Sequence, residues 1–215
     1  MYLIITECCK RKCEFELFEH SLDFLSKLDS ESRNILLKGR KLFSKSIHGK
    51  VEVTALSLYD GHLYKELDKV SIYRKILNNE LDFIIISAAY GITHALEKIR
   101  NYELHMNNRV NNERVIDVWI RLNLPKVIAK YIKHNHYEGV LIFVSKTSRY
   151  MKIIKHSLHM LSKDLLENVF IITSKSNSGV RSLRTLGKIL NLFITSKSIS
   201  KLLEFKDVEI HQVHQ

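Results

Sequence analysis

Five short runs of apolar, mostly β-branched residues punctuate the chain, at 2–6, 51–57, 82–87, 140–145 and 169–173. Runs of this length with little polar alternation predict strands buried on both faces. Between them the apolar positions change to helical spacing. Residues 31–45 repeat at Ile35, Leu36, Leu42 and Phe43, and residues 113–133 at Val115, Val118, Trp119, Leu122, Val127, Ile128 and Tyr131. Pro125 is expected to break the second pattern, because it lacks an amide hydrogen and clashes with the preceding turn. Further helices are expected at 148–163 and 180–194, the latter capped by Asn177, Ser178 and Gly179. Strands alternating with helices predict an α/β fold, a mostly parallel central sheet of about five strands flanked by helices. With one proline, seven glycines and no linker-like stretch, residues 1–204 read as one domain. The tail 205–215 carries only a weak strand signal.

A parallel sheet has a functional consequence, since open α/β sheets bind ligands beyond the carboxyl ends of their strands. The segments that follow the five strands hold most of the unusual chemistry. They are Cys8 to Lys12, Leu58 to His62, Ala88 to Gly91, Lys146 to Arg149, and Lys175 to Gly179.

Composition narrows the class of protein. No stretch reaches eighteen consecutive apolar residues, and the first residues read as a core strand rather than a secretory signal, so a cytoplasmic protein without a membrane span is expected. Formal net charge is +11, which favours polyanionic partners, above all nucleic acid. The three cysteines, Cys8, Cys9 and Cys13, are too close together and odd in number for a disulfide framework. A reduced thiol cluster follows.

Each loop offers specific chemistry. Cations at Lys10, Arg11 and Lys12 beside Cys8 and Cys9 lower a thiol pKa, making either a candidate nucleophile, and the same cations suit a phosphate. Asp60 is a candidate general base or base-edge acceptor, with Tyr59 as a stacking surface. Small residues at Ser87, Ala88 and Ala89 lead into Tyr90 and Gly91, where backbone amides can approach a ligand. Tyr102 adds a second aromatic downstream. Ser145, Lys146 and Arg149, and then Arg181 and Arg184, form two further cationic segments at helix starts, suited to phosphate. Neither has the P-loop glycine pattern. Cys8, Cys13 and His20 match no strong zinc spacing, so no metal or other cofactor is expected.

In order along the chain, Cys8 with Lys12, the run from Leu58 to Tyr64, the run from Ile86 to Ile92, the run from Asn101 to Met106, Trp119, and Ser145 ahead of Arg149 and Tyr150 resemble the YaaA family of peroxide-stress proteins. The resemblance spans residues 1 to about 155, with a weaker match over 179–184. It implies a fold akin to uracil-DNA glycosylases and a role in binding or protecting DNA under oxidative stress. Family members are also associated with a helix-hairpin-helix DNA contact, but no Gly-x-Gly hairpin occurs here. The register of Cys8, Lys12 and His20 also resembles the catalytic motif of archaeosine synthase, which modifies a 7-deazaguanine in transfer RNA. Glu7, Cys13 and Glu14 depart from that motif. That second resemblance implies nucleophilic addition by Cys8 with proton transfer by His20. The expected partner is therefore DNA or transfer RNA, with a base or nucleotide in the pocket.

Overall fold

The computed structural model describes residues 1–176 and 178–213. Its strands are β1 (Tyr2–Glu7), β2 (Ile47–Thr54), β3 (Leu81–Ser87), β4 (Gly91–His94), β5 (Lys98–Tyr102), β6 (Arg109–Val110), β7 (Glu113–Arg114), β8 (Gly139–Phe143), β9 (Val169–Ser174) and β10 (Val208–Gln212). The α-helices are α1 (Ser30–Leu42), α2 (Ala55–Leu58), α3 (Lys69–Leu77), α4 (Val115–Arg121), α5 (Leu124–His134), α6 (Tyr150–Leu158), α7 (Lys163–Leu166), α8 (Gly179–Ser196) and α9 (Ile199–Leu203).

The main sheet has six strands in the order β10-β9-β8-β1-β3-β4. Its four inner strands are parallel, and both edge strands run antiparallel. Ile4 of β1 lies opposite Phe83 on one side and Leu141 on the other. Every residue of β3 and β8 is buried, as continuous apolar runs require when helices cover both faces. Helices α1, α4, α5 and α6 pack as one contiguous group, and α3, α8 and α9 as another. Four of the five expected strands are inner strands of this sheet.

The run 51–57 is the exception. Its strand, β2, stops at Thr54 and pairs with β5 in a separate two-stranded ribbon, while Ala55–Leu58 turn into α2. The reason is visible in the side chains: His48, Lys50, Val51 and Glu52 are exposed, and a strand with one wet face belongs in an antiparallel ribbon. The tail supplies β10, which pairs with β9 from Val208↔Ser174 to Gln212↔Phe170. The expected break in 113–133 occurs at Asn123, whose φ is +66°, rather than at Pro125. Pro125 sits in the first turn of α5, where its missing amide hydrogen is no loss. Ser178 is the N-cap of α8 without a side-chain capping bond, and the proposed cap at Asn177 lies outside the described residues. Among the described residues no helix is long and apolar enough to cross a membrane.

Candidate functional site

The backbone beyond β1 does not loop freely. Lys12 forms an isolated antiparallel bridge with Tyr59. Cys13 N donates to the Leu58 carbonyl at 2.8 Å, and Asp60 N to the Arg11 carbonyl at 3.1 Å. This zipping brings the segment after β1 against the segment after α2. Between them, and against the end of β5, opens a cleft of about 760 Å³. Gly61 is needed for the approach, since a Cβ there would lie 2.5 Å from Cys9 Cβ. Its amide donates instead to Cys9 Sγ at 3.2 Å.

Of the residues singled out above, Cys8, Cys9, Lys10, Arg11, Lys12, Asp60 and Tyr102 line this cleft. Cys8 Sγ shares a hydrogen bond of 3.0 Å with the Tyr150 hydroxyl. Lys12 Nζ lies 4.0 Å above the centre of the Tyr102 ring, a cation–π contact, and burial holds its pKa below the usual lysine range. Asp60 Oδ2 accepts from Arg11 Nε at 2.9 Å and lies 4.0 Å from Lys65 Nζ, so its charge is already matched at the rim. Cys9 departs from the expectation of a low-pKa thiol. Burial pushes it up to about 12, and the Cys8 sulfur adds to this, against the smaller pull of the Gly61 amide and Lys12. A thiol in that range stays protonated and is a poor nucleophile.

Several expected site residues form the wall behind the cleft. Tyr59 is fully buried and offers no stacking face; its hydroxyl meets that of Tyr102 at 2.9 Å. The Ser87 hydroxyl donates to the same Tyr102 oxygen at 2.9 Å. Tyr90 packs edge-on behind Tyr102, and its hydroxyl donates to the Arg100 carbonyl and accepts from the Arg100 amide. Gly91 adopts φ +76°, and a Cβ there would strike Trp119 and Leu36. Its role is a turn packed on Trp119, whose indole N–H donates to the Ala88 carbonyl at 2.8 Å.

The later cations do not line the cleft. Lys146 pairs with Glu209 of β10, and Arg149 donates to Asn107 Oδ1. Arg181 and Arg184 are exposed on α8, from which Leu183 is the residue that reaches the cavity. Ser145 stands behind Glu7 and contributes through its backbone. His20 is remote from Cys8. It shares a separate recess with Met1, Leu81, Asp82 and His94, at the amino ends of β1 and β3. Cys8 follows the carboxyl end of β1, so a strand's length, roughly 20 Å, separates the two regions. Proton transfer between His20 and Cys8 is therefore not available in this structure.

Tyr150, His105 and Glu7 are among the lining residues that were not expected at the site. Tyr150 opens α6, and burial lifts its hydroxyl well above the usual tyrosine range, so it remains a donor. His105 is held below the usual histidine range by burial, then by Lys12 and Lys10. Glu7, the last residue of β1, is only 6 % exposed. Burial lifts its carboxyl to about 7, partly offset by the Ser148 hydroxyl and the Ser145 backbone. The available signal was a lone acid closing an otherwise apolar strand.

A sequence profile described as Peroxide stress protein YaaA matches residues 14–211. The chain is also similar to UPF0246 protein FN1762 of Fusobacterium nucleatum subsp. nucleatum, with 24 % identity over 193 residues, covering 89 % of this chain and 73 % of that protein. The profile match starts at Glu14, so β1 and the segment from Cys8 to Cys13 precede it. With nearly all of the fold after β1 inside that match, the chain belongs to the peroxide stress protein YaaA family.

Proposed function

We propose that this protein binds nucleic acid, taking a base or nucleotide into the cleft while the cations at its mouth hold phosphate. The carrying observation is the meeting of two surfaces in one cavity. Lys10, Arg11, Lys12 and Lys65 line it beside Tyr64, Tyr102, Tyr150 and Leu183. Cationic rims with aromatic interiors suit single strands and extruded bases. The formal charge of +11 supports the same reading at longer range. Within a peroxide-stress family, such binding fits a role in protecting DNA or maintaining it during oxidative damage.

The test is a titration of single-stranded DNA and RNA at two salt concentrations, repeated with Lys10→Ala and Lys65→Ala. Affinity is expected to fall steeply as salt rises, and each lost cation to lower the log–log slope by about one. Affinity that does not move with salt would remove phosphate contact from the mechanism.

A further inference from the structure

The floor of the cleft carries a carboxyl without a counterpart. Glu7 lines the cavity, and its Oε2 has no hydrogen-bond partner among the described residues. Ser148 Oγ, from the loop ahead of α6, is also buried without one; it lies close enough to draw the Glu7 carboxyl down, but short of a well-formed hydrogen bond. The influences on Glu7 are burial, the Ser148 hydroxyl and the Ser145 backbone, with no cation among them. Buried polar atoms without partners are few in folded proteins, and a functional role is one of their recognised causes.

The chemistry of the group narrows the ligand. An ionised carboxylate only accepts, and its two oxygens take a pair of parallel N–H donors. Among the standard bases, guanine alone presents two adjacent donors, N1–H and the N2 amino group, on its pairing edge. Adenine, cytosine, uracil and thymine each place an acceptor beside the donor. Resting on the reading of the cleft as a base site, we infer that Glu7 selects guanine by accepting from N1–H and N2–H. Tyr102 and Tyr150 wall the ring, and the rim cations meet the phosphate.

This assignment has a proton signature. Burial lifts the Glu7 carboxyl to about 7. Two donors from guanine favour the ionised form, so binding releases protons where the free carboxyl still holds one and tightens as pH rises through that range. The groups facing Glu7 are Tyr150 from α6, Cys8 beside it in the chain, and Ile86 opposite it on β3. Tyr64 donates to its backbone carbonyl at 2.9 Å. Burial keeps both tyrosines protonated through this range. His48, His62 and His105 also line the cleft, and Glu7→Gln isolates the part of any pH dependence that belongs to Glu7.

The experiment is calorimetric titration of the full chain with GMP, AMP, CMP and UMP, and with short single strands that contain or lack guanine. Two buffers of different ionisation enthalpy count the protons. GMP or the guanine-containing strand is expected to bind on the order of tenfold tighter than its counterparts. Glu7→Gln should remove that preference together with the proton release. A preference visible with GMP makes a free nucleotide sufficient; one visible only in strands requires the base to be presented by a polymer. Either upholds Glu7 as the selecting group. Equal binding of all four bases, or an unchanged preference in Glu7→Gln, overturns the inference while leaving base binding intact. No binding of any nucleotide or strand overturns the base-site reading itself.

Discussion

At the scale of single residues, burying Glu7 couples stability to pH. Its carboxyl holds its proton up to about 7 in the folded chain, against 4.5 when unfolded. The folded state therefore binds more protons between those values, and stability falls as pH rises through the window. The size of the loss is on the order of 3 kcal/mol, complete only above the folded value. Urea unfolding of the wild type and Glu7→Gln at pH 5 and pH 8 should show the wild type losing about that much relative to the variant. A difference between the two proteins that stays constant across pH would contradict the burial argument. The same reasoning explains Cys9, where neighbouring cations suggest a reactive thiol and burial decides otherwise. Charge near a group matters less than whether the group can be hydrated.

Among the elements, the long connection between β1 and α1 is pinned at its middle by one side chain. The Glu16 carboxylate accepts from Thr54 N at 2.8 Å, Thr54 Oγ1 at 2.8 Å and Ser57 Oγ at 2.7 Å, as well as from the amides of Leu17 and Phe18. Burial raises its pKa, but the donors from Ser57 and Thr54 together outweigh this and hold it below the usual carboxylate range. Its contribution is thus present above the unfolded value and fades as pH falls through the folded one. Glu16→Ala should cost about 2 kcal/mol and speed amide exchange around residues 14–20, while β1 and β8 keep their protection. Unaltered exchange in that segment would mean that the connection is held by something else. Legibility from sequence follows the same physics. Strands buried on both faces, such as Phe83 to Ile86, announce themselves as apolar runs. A half-wet strand such as β5, with Lys98 and Arg100 exposed, does not, and neither does β4, which is buried throughout but carries the polar Thr93 and His94. In the site, Cys8, Lys12 and Asp60 were legible because position alone brings them to the cleft. Tyr59, Tyr90 and Ser87 were not, because no spacing rule says whether a side chain after a strand faces the cavity or the wall. Pattern reading is also drawn to exposed cations such as Arg184, when Leu183 beside it is the one that turns inward.

For the whole molecule, the sheet is finished by its last strand. Among the described residues β10 covers the edge of β9 over five paired positions, and Lys146 ties it to the loop beyond β8. Ending the chain after Glu204 would leave Phe170 to Ser174 as an open edge. Such a truncation should melt at lower temperature and associate as concentration rises in light scattering. A truncated chain that remains monodisperse with an unchanged Tm would show the edge to be harmless. The opposite arrangement holds at the middle of the sheet. Strand β1 is made before either neighbour, yet Tyr2 must wait for Leu81 and Gly139 to arrive. Its apolar Leu3, Ile4 and Ile5 pair with β3 about 80 residues further on and with β8 about 140 residues further on. Such long-range pairing makes for slow folding, and it leaves an apolar strand open to association until its neighbours have folded against it.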